Sequence, residues 1–473
     1  MTTPQWDAHT QTTLTPHTQA PLVTRTYPSA AEVDSAIARA AEAQRAWGRK
    51  SVAERVDVGR NFVLSLQMGR PISQGPGEVR GLVERSNYML DIAPSALADV
   101  SLADTDKPGF RRYIKRVAVG VVFVVSPWNF PYLTAINALL PALIAGNTVI
   151  LKPSPQTPLT GERLLEAWSA AGKQVLHLPP PLVTHALAHP ALAFVSFTGS
   201  VAGGRAVVEA AAKRQVDGAG VLGVGVELGG KDPAYVAPDA DVEWAAAGVR
   251  LMVRAFFNSG QSCCAIERIY VHTDVYDRFV AKFVEVSKTY KLGDPTLPET
   301  NLGPVVSLAS AERIRKQVAD AVVKGAKSLV PEDLFPIAKA GTTYVAPTVL
   351  VDVDHSMEVM TEETFGPVVG IQRVSNDDEA IQLMNDSRYG LTASVWSGVQ
   401  DKDGNVNEAA EVRFLRFVDE LETGTVFLNR CDYLDPALAW TGVKDSGRGV
   451  TLSKFGYDQV TRAKSVHMKI KTR

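Results

Sequence analysis

The residues best suited to do chemistry lie in one short segment, where a thiol follows a glycine-containing bend. The segment runs from Phe256 to Cys264 and holds Gly260, Cys263 and Cys264, with no histidine or basic residue inside it. A cysteine acts as a nucleophile only where its surroundings favour the thiolate. The segment alone therefore leaves two interpretations open: a reactive thiol, or a pair of buried cysteines that fill a core.

Two motifs further upstream favour the reactive interpretation. The segment Glu227–Lys231 (ELGGK) supplies a carboxylate, and Ser126–Pro131 (SPWNFP) supplies the amide of Asn129 directly after an apolar strand. A thiol, a carboxylate and an amide are the groups that thioester chemistry uses. We therefore expect the three segments to meet in space.

Two other motifs indicate a nucleotide site. The segment Phe197–Gly204 closes a predicted strand and opens a predicted helix. Backbone N–H groups at such a helix start attract a pyrophosphate, although the segment is not G-x-G-x-x-G and could be only a tight turn. Lys152 and Ser154 stand at the carboxyl end of another predicted strand, where a lysine can reach a ribose hydroxyl.

The composition limits the classes of function. The 473 residues predict two or more domains, and a net charge of −2 gives no electrostatic reason to bind nucleic acid or an anionic membrane. Three cysteines without a C-x-x-C pair predict neither a disulfide framework nor a zinc site. The polar N-terminus lacks the apolar core of a signal peptide, and the strongest apolar run, Val117–Val125, is too short to cross a bilayer. We expect a cytoplasmic protein with no metal, nucleic-acid or membrane partner.

The elements that must position these groups alternate between strand and helix. Residues 1–28 look extended or loose, and three helices are predicted next, over Ala31–Trp47, Ser51–Gln67 and Gly81–Ala98. Strands follow at Val117–Val125, Thr148–Leu151, Gln174–Leu178, Phe194–Phe197 and Val224–Leu228, with helices at Tyr132–Ala145, Leu159–Ala171 and Ser200–Arg214. Short apolar strands separated by helices predict a parallel sheet covered on both faces, as in a doubly wound nucleotide-binding domain.

Beyond Cys263 the alternation resumes around a second core. The predicted strands are Arg268–His272, Val345–Val353, Val368–Val374, Thr392–Trp396 and Thr425–Leu428, and the predicted helices are Asp274–Tyr290, Ala309–Lys324, Asp377–Asn385 and Asn407–Leu421. The basic stretch Pro108–Arg116 is suited to an exposed strand or arm, and Ser465–Ile470 to an edge strand. The fold class is therefore α/β with two cores.

As a set, the motifs resemble the aldehyde dehydrogenase superfamily in order and approximate spacing. The matching segments are Ser126–Pro131, Lys152–Ser154, Phe197–Gly204, Glu227–Lys231 and Phe256–Ala265, extended by Glu362–Pro367 and Gly442–Gly447. The resemblance covers nearly the whole chain. It implies an aldehyde dehydrogenase-like fold, with an NAD(P)-binding domain over residues 1–99 and 119–228, a catalytic domain over 229–440, and an oligomerisation arm from 100–118 and 455–473.

The resemblance also implies roles for individual residues. Cys263 would be the nucleophile, Asn129 the side-chain half of the oxyanion hole, and Glu227 the base that activates water to hydrolyse the thioester. The implied cofactor contacts, to NAD or NADP, are Trp128, Lys152, Ser154, Gly199, Ser200, Gly204, Leu228, Glu363 and Phe365. The implied activity is oxidation of a small-molecule aldehyde to a carboxylic acid by a homodimer or homotetramer.

Departures from the family pattern leave alternatives open. Segments near Gln67 and Lys173 look shorter than in the family, so a catalytically impaired or structural relative is the alternative function. A coenzyme-A-acylating enzyme is the nearest enzymatic rival, and Glu227 argues against it because activated water would consume the thioester. Pro155 stands where many NAD-preferring members have a glutamate, so we expect NADP not to be strongly excluded. Thr451 stands where many members have a glutamate associated with relaying protons from the base.

Overall fold

The chain folds around two largely parallel sheets. In a computed structural model, the structure is described for residues 5–6, 9–56, 75–102, 107–167, 174–247, 255–398 and 407–471. The helices within these residues are α1 Ala30–Trp47, α2 Gly75–Ala96, α3 Pro131–Ile144, α4 Pro158–Ala167, α5 Pro180–Ala188, α6 Val201–Val216, α7 Val242–Ala247, α8 Tyr276–Ser287, α9 Leu308–Val323, α10 Glu358–Thr361, α11 Asp377–Asn385, α12 Glu408–Glu420 and α13 Ser453–Gln459. Residues 52–56 are helical as well.

The first sheet has six strands in the order β20-β10-β9-β6-β7-β8, all parallel except β20. Their bounds are β6 Val121–Val125, β7 Thr148–Lys152, β8 Gln174–Val175, β9 Leu192–Thr198, β10 Gly223–Glu227 and β20 Gly447–Arg448. All five residues of β6 are buried, because Val122 and Val124 pack towards α3 while Phe123 packs towards α1 and α6. A strand covered on both faces reads as a continuous apolar run, which is why this sheet could be predicted.

The second sheet has seven strands in the order β13-β14-β15-β12-β11-β17-β18, parallel except at the β13 edge. Their bounds are β11 Asp232–Val236, β12 Ile266–His272, β13 Lys327–Ser328, β14 Thr348–Val351, β15 Val368–Val374, β17 Thr392–Trp396 and β18 Thr425–Leu428. Phe279 and Phe283 of α8 fill the core on one face, and Ile314 of α9 and Phe417 of α12 fill it on the other.

Three small sheets complete the described structure. Strands β4 Val100–Ser101, β5 Phe110–Ala118 and β21 Thr461–Lys469 form an antiparallel ribbon, in which β5 and β21 pair along their full length. Strands β1 Gln5–Trp6, β2 Thr10–Leu14 and β3 Pro21–Thr26 form an N-terminal sheet, and β16 Tyr389–Gly390 pairs with β19 Val443–Lys444. The ribbon confirms the strand predicted over the basic stretch; its role in oligomerisation, like the domain boundaries, stays a prediction.

The structure corrects several predicted elements. The strand predicted over Val117–Val125 is two strands, because Gly120 adopts a φ of 137° and donates its N–H to Asn147 Oδ1 at 2.9 Å. Residues 1–28, which were expected to be extended or loose, contain the three strands β1, β2 and β3, which were not predicted individually. Strand β11 and helices α5 and α7 were not predicted. The helix predicted over Ser51–Gln67 lies mostly outside the described residues.

Candidate active site

Four of the motifs meet at the carboxyl edge of the first sheet. Glu227 ends β10, Thr198 ends β9, the segment Ser126–Pro131 follows β6, and Lys152 ends β7. These four strands are consecutive neighbours in the sheet. Since the carboxyl ends of parallel strands point the same way, the sheet brings the motifs together although they span about a hundred residues of sequence.

A cavity of about 490 Å³ lies at this edge. Its walls include Phe130, Thr198, Glu227, Phe257 and Cys263. The structure therefore places the predicted nucleophile and the predicted base in the wall of one cavity. A volume of this size suits a small molecule.

The loop that carries Cys263 has an unusual backbone. Asn258, Ser259 and Gly260 adopt φ values of 53°, 59° and 72°, in the left-handed region. A Cβ on Gly260 would lie 2.1 Å from the Gly366 carbonyl oxygen, so only glycine fits there. Backbone strain of this kind persists only where the surrounding structure imposes it, and it is concentrated at functional sites.

Side chains of the loop hold it in that conformation. Gln261 is 5% exposed, accepts the Val306 N–H at 2.7 Å through Oε1 and donates to the Asn258 carbonyl at 3.0 Å. Ser259 donates to the Gly303 carbonyl at 2.9 Å. Hydrogen bonds to Gly303 and Val306 thus hold the loop on one side, and Cys263 lines the cavity.

The two adjacent cysteines differ in environment. Cys263 is half-buried and lines the cavity, whereas Cys264 is 1% exposed and donates to Asp432 Oδ1 at 3.0 Å. Hydrogen bonding with Cys263, burial and the charge of Asp432 raise the pKa of Cys264 well above its usual range. Cys264 therefore stays a neutral thiol. The sequence interpretation of Cys431 as structural agrees with its burial in the second core.

Asn129 lies beside the Cys263 loop. It is 6% exposed, and Asn258 of the loop donates its side-chain amide to the Asn129 carbonyl at 3.3 Å. Its side-chain Oδ1 accepts the Phe130 N–H at 3.0 Å, and this hydrogen bond fixes the orientation of the amide. Phe130 lines the cavity, but Asn129 is not among the lining residues. Its predicted role as an oxyanion donor stays a prediction.

The Glu227 carboxyl group is set in a poorly solvated position. Burial raises its pKa to about 7, although a hydrogen bond from Thr451 and the charge of Arg85 act in the opposite direction. Thr451 donates its hydroxyl to Glu227 Oε1 at 2.6 Å. The carboxyl group is therefore close to half-ionised at neutral pH, as suits a general base.

The residues of the predicted pyrophosphate turn form a cradle. Ser200 caps helix α6 by accepting the Gly203 N–H at 3.2 Å, and Gly199 donates its N–H to the Glu227 carbonyl at 3.0 Å. A Cβ on Gly204 would lie 2.4 Å from a methyl group of Leu228. Four of the predicted cofactor residues thus pack at a helix start where backbone N–H groups can face an anion.

Lys152 is a buried cation without an acidic partner among the described residues. It is 8% exposed, and its ammonium donates to the Pro153 carbonyl at 3.3 Å. Burial lowers its pKa to about 8. The neighbouring Ser154 is 6% exposed. A buried amine with spare donors at the carboxyl edge of the sheet fits a ribose hydroxyl or a phosphate of a bound dinucleotide.

Glu363 faces the turn that follows β10. Its carboxylate accepts the Gly230 N–H at 3.2 Å, and a Cβ on Gly229 would lie 2.4 Å from its oxygens. Burial and the charge of Glu267 raise the pKa of Glu363 to about 8. A carboxyl group held this close to the glycine turn suits a hydrogen bond to a ribose hydroxyl.

A buried ion pair fixes the segment that carries Phe365. Glu267 accepts a hydrogen bond from Lys231 Nζ at 2.6 Å and from the backbone N–H groups of Thr364 and Phe365 at 2.8 and 2.7 Å. Phe365, with a φ of 50°, meets Trp128 edge-on with ring centroids 5.5 Å apart. Two of the predicted cofactor contacts, Trp128 and Phe365, are thereby in contact although they are 237 positions apart in the chain.

Sequence reasoning missed three residues that shape the site. Thr451 was noted only as a departure, and Glu267 was not singled out. Arg85 of α2 also lines the cavity, although no motif marks it. The one available signal is that Arg85 interrupts the buried apolar face of α2 formed by Leu82 and Met89.

The C-terminal motif packs against the strand that ends at Glu227. Strand β20 pairs with β10 so that Gly447 lies opposite Glu227. Ser446 is fully buried and donates its hydroxyl to the Gly229 carbonyl at 2.7 Å. A Cβ on Gly447 would lie 2.0 Å from the Val226 carbonyl oxygen. The C-terminal segment is therefore in direct contact with β10, the strand that ends at Glu227.

Two structural features are absent from the part of the chain that the structure describes. Within it, no helix is both long and apolar enough to cross a membrane. The same residues contain no group of three or more histidine, cysteine, aspartate or glutamate side chains arranged to hold a metal ion.

Known proteins resemble this chain over almost its full length. A model described as the aldehyde dehydrogenase family matches residues 4–466. The succinate-semialdehyde dehydrogenase (NADP(+)) of Mycobacterium avium (strain 104) is 37% identical, with 96% of each chain covered. The D-glyceraldehyde dehydrogenase (NADP(+)) of Picrophilus torridus is 31% identical, covering 94% of this chain and 90% of the relative.

A solved structure confirms the α/β fold class. The crystal structure of an NADP-dependent glyceraldehyde-3-phosphate dehydrogenase from Bacillus halodurans C-125, complexed with NADP, superposes with a TM-score of 0.86 at 30% identity. It covers 98% of this chain and 96% of the other. None of these findings supports the catalytically impaired alternative, whose basis near Gln67 and Lys173 lies outside the described residues.

Proposed function

The chain belongs to the aldehyde dehydrogenase family, and we propose that it oxidises an aldehyde to the carboxylic acid with NAD⁺ or NADP⁺ through a thioester on Cys263. The observation that carries this mechanism is that Cys263 and Glu227 line one cavity of about 490 Å³. A nucleophile and a base with access to the same bound molecule can act in sequence on one carbonyl carbon.

In the first step the Cys263 thiolate attacks the aldehyde carbon, and a C–S bond forms as the carbonyl π bond breaks. The negative charge then lies on the former carbonyl oxygen. We assign its stabilisation to the Asn129 side chain and the Cys263 backbone N–H. Support comes from the hydrogen bond that ties Asn129 to the Cys263 loop through Asn258. Donors fixed before the reaction stabilise such a charge without reorganising.

In the second step the oxyanion collapses to the thioester and the former aldehyde carbon loses its hydrogen as hydride, which NAD⁺ or NADP⁺ would accept when bound. The residues present fit a dinucleotide. Gly199, Ser200 and Gly204 form the cradle for the pyrophosphate, and Lys152 provides a buried donor without an acidic partner in the described part of the chain. We assign Glu363 to the nicotinamide ribose, with Trp128, Ser154, Leu228 and Phe365 as further contacts.

In the last step Glu227 takes a proton from water, and the resulting hydroxide displaces Cys263 from the acyl group. The thiolate is regenerated and the carboxylic acid leaves. Burial holds the pKa of Glu227 at about 7, so the ionised base becomes available as the pH rises through neutrality. A base beside the thioester favours water over coenzyme A as the acyl acceptor, because activated water would consume the thioester.

The experiment is an aldehyde panel with a readout of reduced cofactor. Wild-type protein should reduce NAD⁺ or NADP⁺ with at least one aldehyde, and Cys263→Ala should abolish this activity. Cys264→Ala is the matched control and should keep much of it, because that thiol is buried and bonded to Asp432. Full activity in Cys263→Ala would overturn the proposal.

We propose further that the protein is a cytoplasmic homodimer or homotetramer. The antiparallel ribbon of β4, β5 and β21 supports an oligomerisation arm, because it is formed by segments outside both main sheets. Three cysteines that form no disulfide support a reducing compartment. Light scattering after gel filtration should give the mass of two or four chains, and deletion of residues 461–473 should reduce it.

A further inference from the structure

We infer that Arg85 selects aldehydes that carry a carboxylate at the far end of a short chain. This inference rests on the proposed function, since it assigns the substrate class of the same cavity. It is carried by a buried guanidinium and a neighbouring amide that both line the cavity and that both have N–H groups without a partner among the described residues.

Arg85 is a buried cation that forms no ion pair with any residue that the structure describes. It is 8% exposed and lines the cavity. Nη1 donates to the Leu133 carbonyl at 3.2 Å and to Asn137 Oδ1 at 3.1 Å. Within the described ranges, no carboxylate forms a salt bridge with it, and no hydrogen bond from Nε or Nη2 is present. A buried charge is costly unless it is paired, so the guanidinium is suited to an anion that enters the cavity.

Asn137 provides a second unused donor beside it. This residue is 3% exposed and also lines the cavity. Its Oδ1 accepts from Arg85, which assigns the orientation of the amide, and its Nδ2 has no hydrogen-bond partner within the described structure. Nearly all buried polar side-chain atoms in proteins are hydrogen-bonded, so the unpaired Nδ2 of Asn137 beside the Arg85 guanidinium points to a ligand group that accepts from both.

The guanidinium is held in place by the contact between α2 and α3. Glu78, two turns before Arg85 on α2, accepts the N–H groups of Tyr132 and Leu133 at the start of α3. A Cβ on Gly81 would lie 3.0 Å from a Leu133 methyl group, so the two helices approach closely at this point. A fixed planar fork binds a carboxylate with little further loss of freedom.

The surrounding charges favour a carboxylate over a phosphate. The carboxyl groups of Glu227 and Glu84 both interact electrostatically with Arg85. Asp432 also lines the cavity. A phosphate dianion would place a second negative charge among these groups with no second buried cation in the described wall to balance it. Arg80 also lines the cavity but is exposed, so Arg85 is the one buried guanidinium of the described wall, and a single carboxylate matches its charge.

The test compares substrates of similar size that differ in charge. The substrates are succinic semialdehyde, its methyl ester and glyceraldehyde 3-phosphate, and the measured quantity is kcat/KM. Wild-type protein should prefer succinic semialdehyde to the other two. Arg85→Met should lower kcat/KM for it by about 100-fold, as expected for loss of charge-assisted hydrogen bonds, and change the methyl ester by less than about threefold. Arg85→Lys, which keeps the charge without the fork, should fall between.

Two controls bear on the interpretation. Arg373→Met removes an exposed guanidinium of β15 that does not line the cavity, and it should leave the preference unchanged. If Arg85→Met does not fold, Arg85→Lys and Asn137→Ala carry the comparison. Equal losses on the acid and the ester in every Arg85 and Asn137 variant, or a wild-type preference for the ester, would overturn the inference. A preference for glyceraldehyde 3-phosphate would overturn the choice of carboxylate.

A binding measurement separates this inference from the proposed function. Succinate, the product that carries two carboxylates, should bind the Cys263→Ala protein in calorimetry, and adding Arg85→Met should weaken it by at least tenfold. Binding that depends on Arg85 without oxidation of any aldehyde would support the inference while overturning the proposed function. Aldehyde oxidation together with succinate binding that ignores Arg85 would do the reverse.

Discussion

Replacing Thr451 by valine should move the pH dependence of thioester hydrolysis to higher pH. The Thr451 hydroxyl donates to Glu227 at 2.6 Å and thereby lowers a pKa that burial raises to about 7. A hydrogen bond to a charged group contributes about 1.5–3 kcal/mol, and one pKa unit corresponds to about 1.4 kcal/mol. Because the hydroxyl also bonds the protonated acid, we take the lower end and expect the pKa to rise by about 1 unit.

The expected effect on rate follows from the ionised fraction of Glu227. With a pKa of about 7 in the wild type and about 8 in Thr451→Val, the ionised fraction at pH 6.5 falls by about eightfold. At pH 9 the two proteins should differ little. The assay is the steady-state kcat for aldehyde oxidation between pH 6 and 9.5, with the burst of reduced cofactor measured separately to show that hydrolysis limits the rate.

Thr451→Val removes the hydroxyl that bonds Glu227 with little other change to the structure. Thr451 is 4% exposed and valine fills nearly the same volume, while the backbone of Thr451 is held by two hydrogen bonds with Trp440 at 2.8 and 2.9 Å. Thr451→Ser keeps a hydroxyl and is the control, with an acid limb close to that of the wild type. An acid limb that stays in place or moves to lower pH in Thr451→Val would refute the reasoning.

Three further substitutions test other parts of the site. Asn129→Ala should lower kcat by about 10²–10³-fold with little change in cofactor affinity, measured by kinetics and fluorescence titration; a loss below threefold in a folded variant would count against the oxyanion role. Pro155→Glu should weaken NADP more than NAD, because an added carboxylate repels a 2′-phosphate; a wild-type preference for NAD above about a thousandfold, about 4 kcal/mol, would mean that another residue excludes NADP. Glu227→Gln should raise the free energy of unfolding at pH 8 by roughly 1–3 kcal/mol and have little effect at pH 4.5, because the folded pKa lies above the unfolded one and the wild type loses stability as the pH rises towards 7. Equal changes in denaturant midpoint at both pH values would contradict that cause.

Much of the fold could be predicted because the relevant signals are local. Strands such as Val368–Val374 and Thr392–Trp396 are rich in β-branched and apolar residues, and the structure confirms both at the predicted bounds. Helix Asp377–Asn385 begins after Asn376, whose side chain caps it, and its bounds were also predicted correctly. Where a chain segment is buried on both faces or capped by its own residues, its sequence carries the information.

The elements that were missed lack such local signals. Helix α5 begins in three consecutive prolines, which read as a turn, although proline at the first helical position is compatible with a helix. The N-terminal strand β2 is a threonine-rich, largely polar segment whose Gln11 and Thr13 become buried by donating to the Pro155 carbonyl. The burial of these polar side chains therefore depends on a contact more than a hundred residues away.

The candidate site also contains residues that sequence motifs identify and residues that only the packing of the fold brings there. Motif residues such as Cys263 and Glu227 could be recognised, and the structure brings them into one cavity. Thr451, which bonds Glu227 across 224 positions, and Arg85, which lies on a helix without any motif, become functional only through packing. No spacing rule in the sequence links either residue to the nucleophile.

The most direct test of the mechanism is a single-turnover measurement on Glu227→Gln with an aldehyde that the wild type oxidises. The variant should release one equivalent of reduced cofactor per active site and then stop, because the thioester forms but water is no longer activated. Intact-protein mass spectrometry followed by peptide mapping should find the acyl group on Cys263. Continuous turnover by the variant, or an acyl group on any residue other than Cys263, would contradict the account.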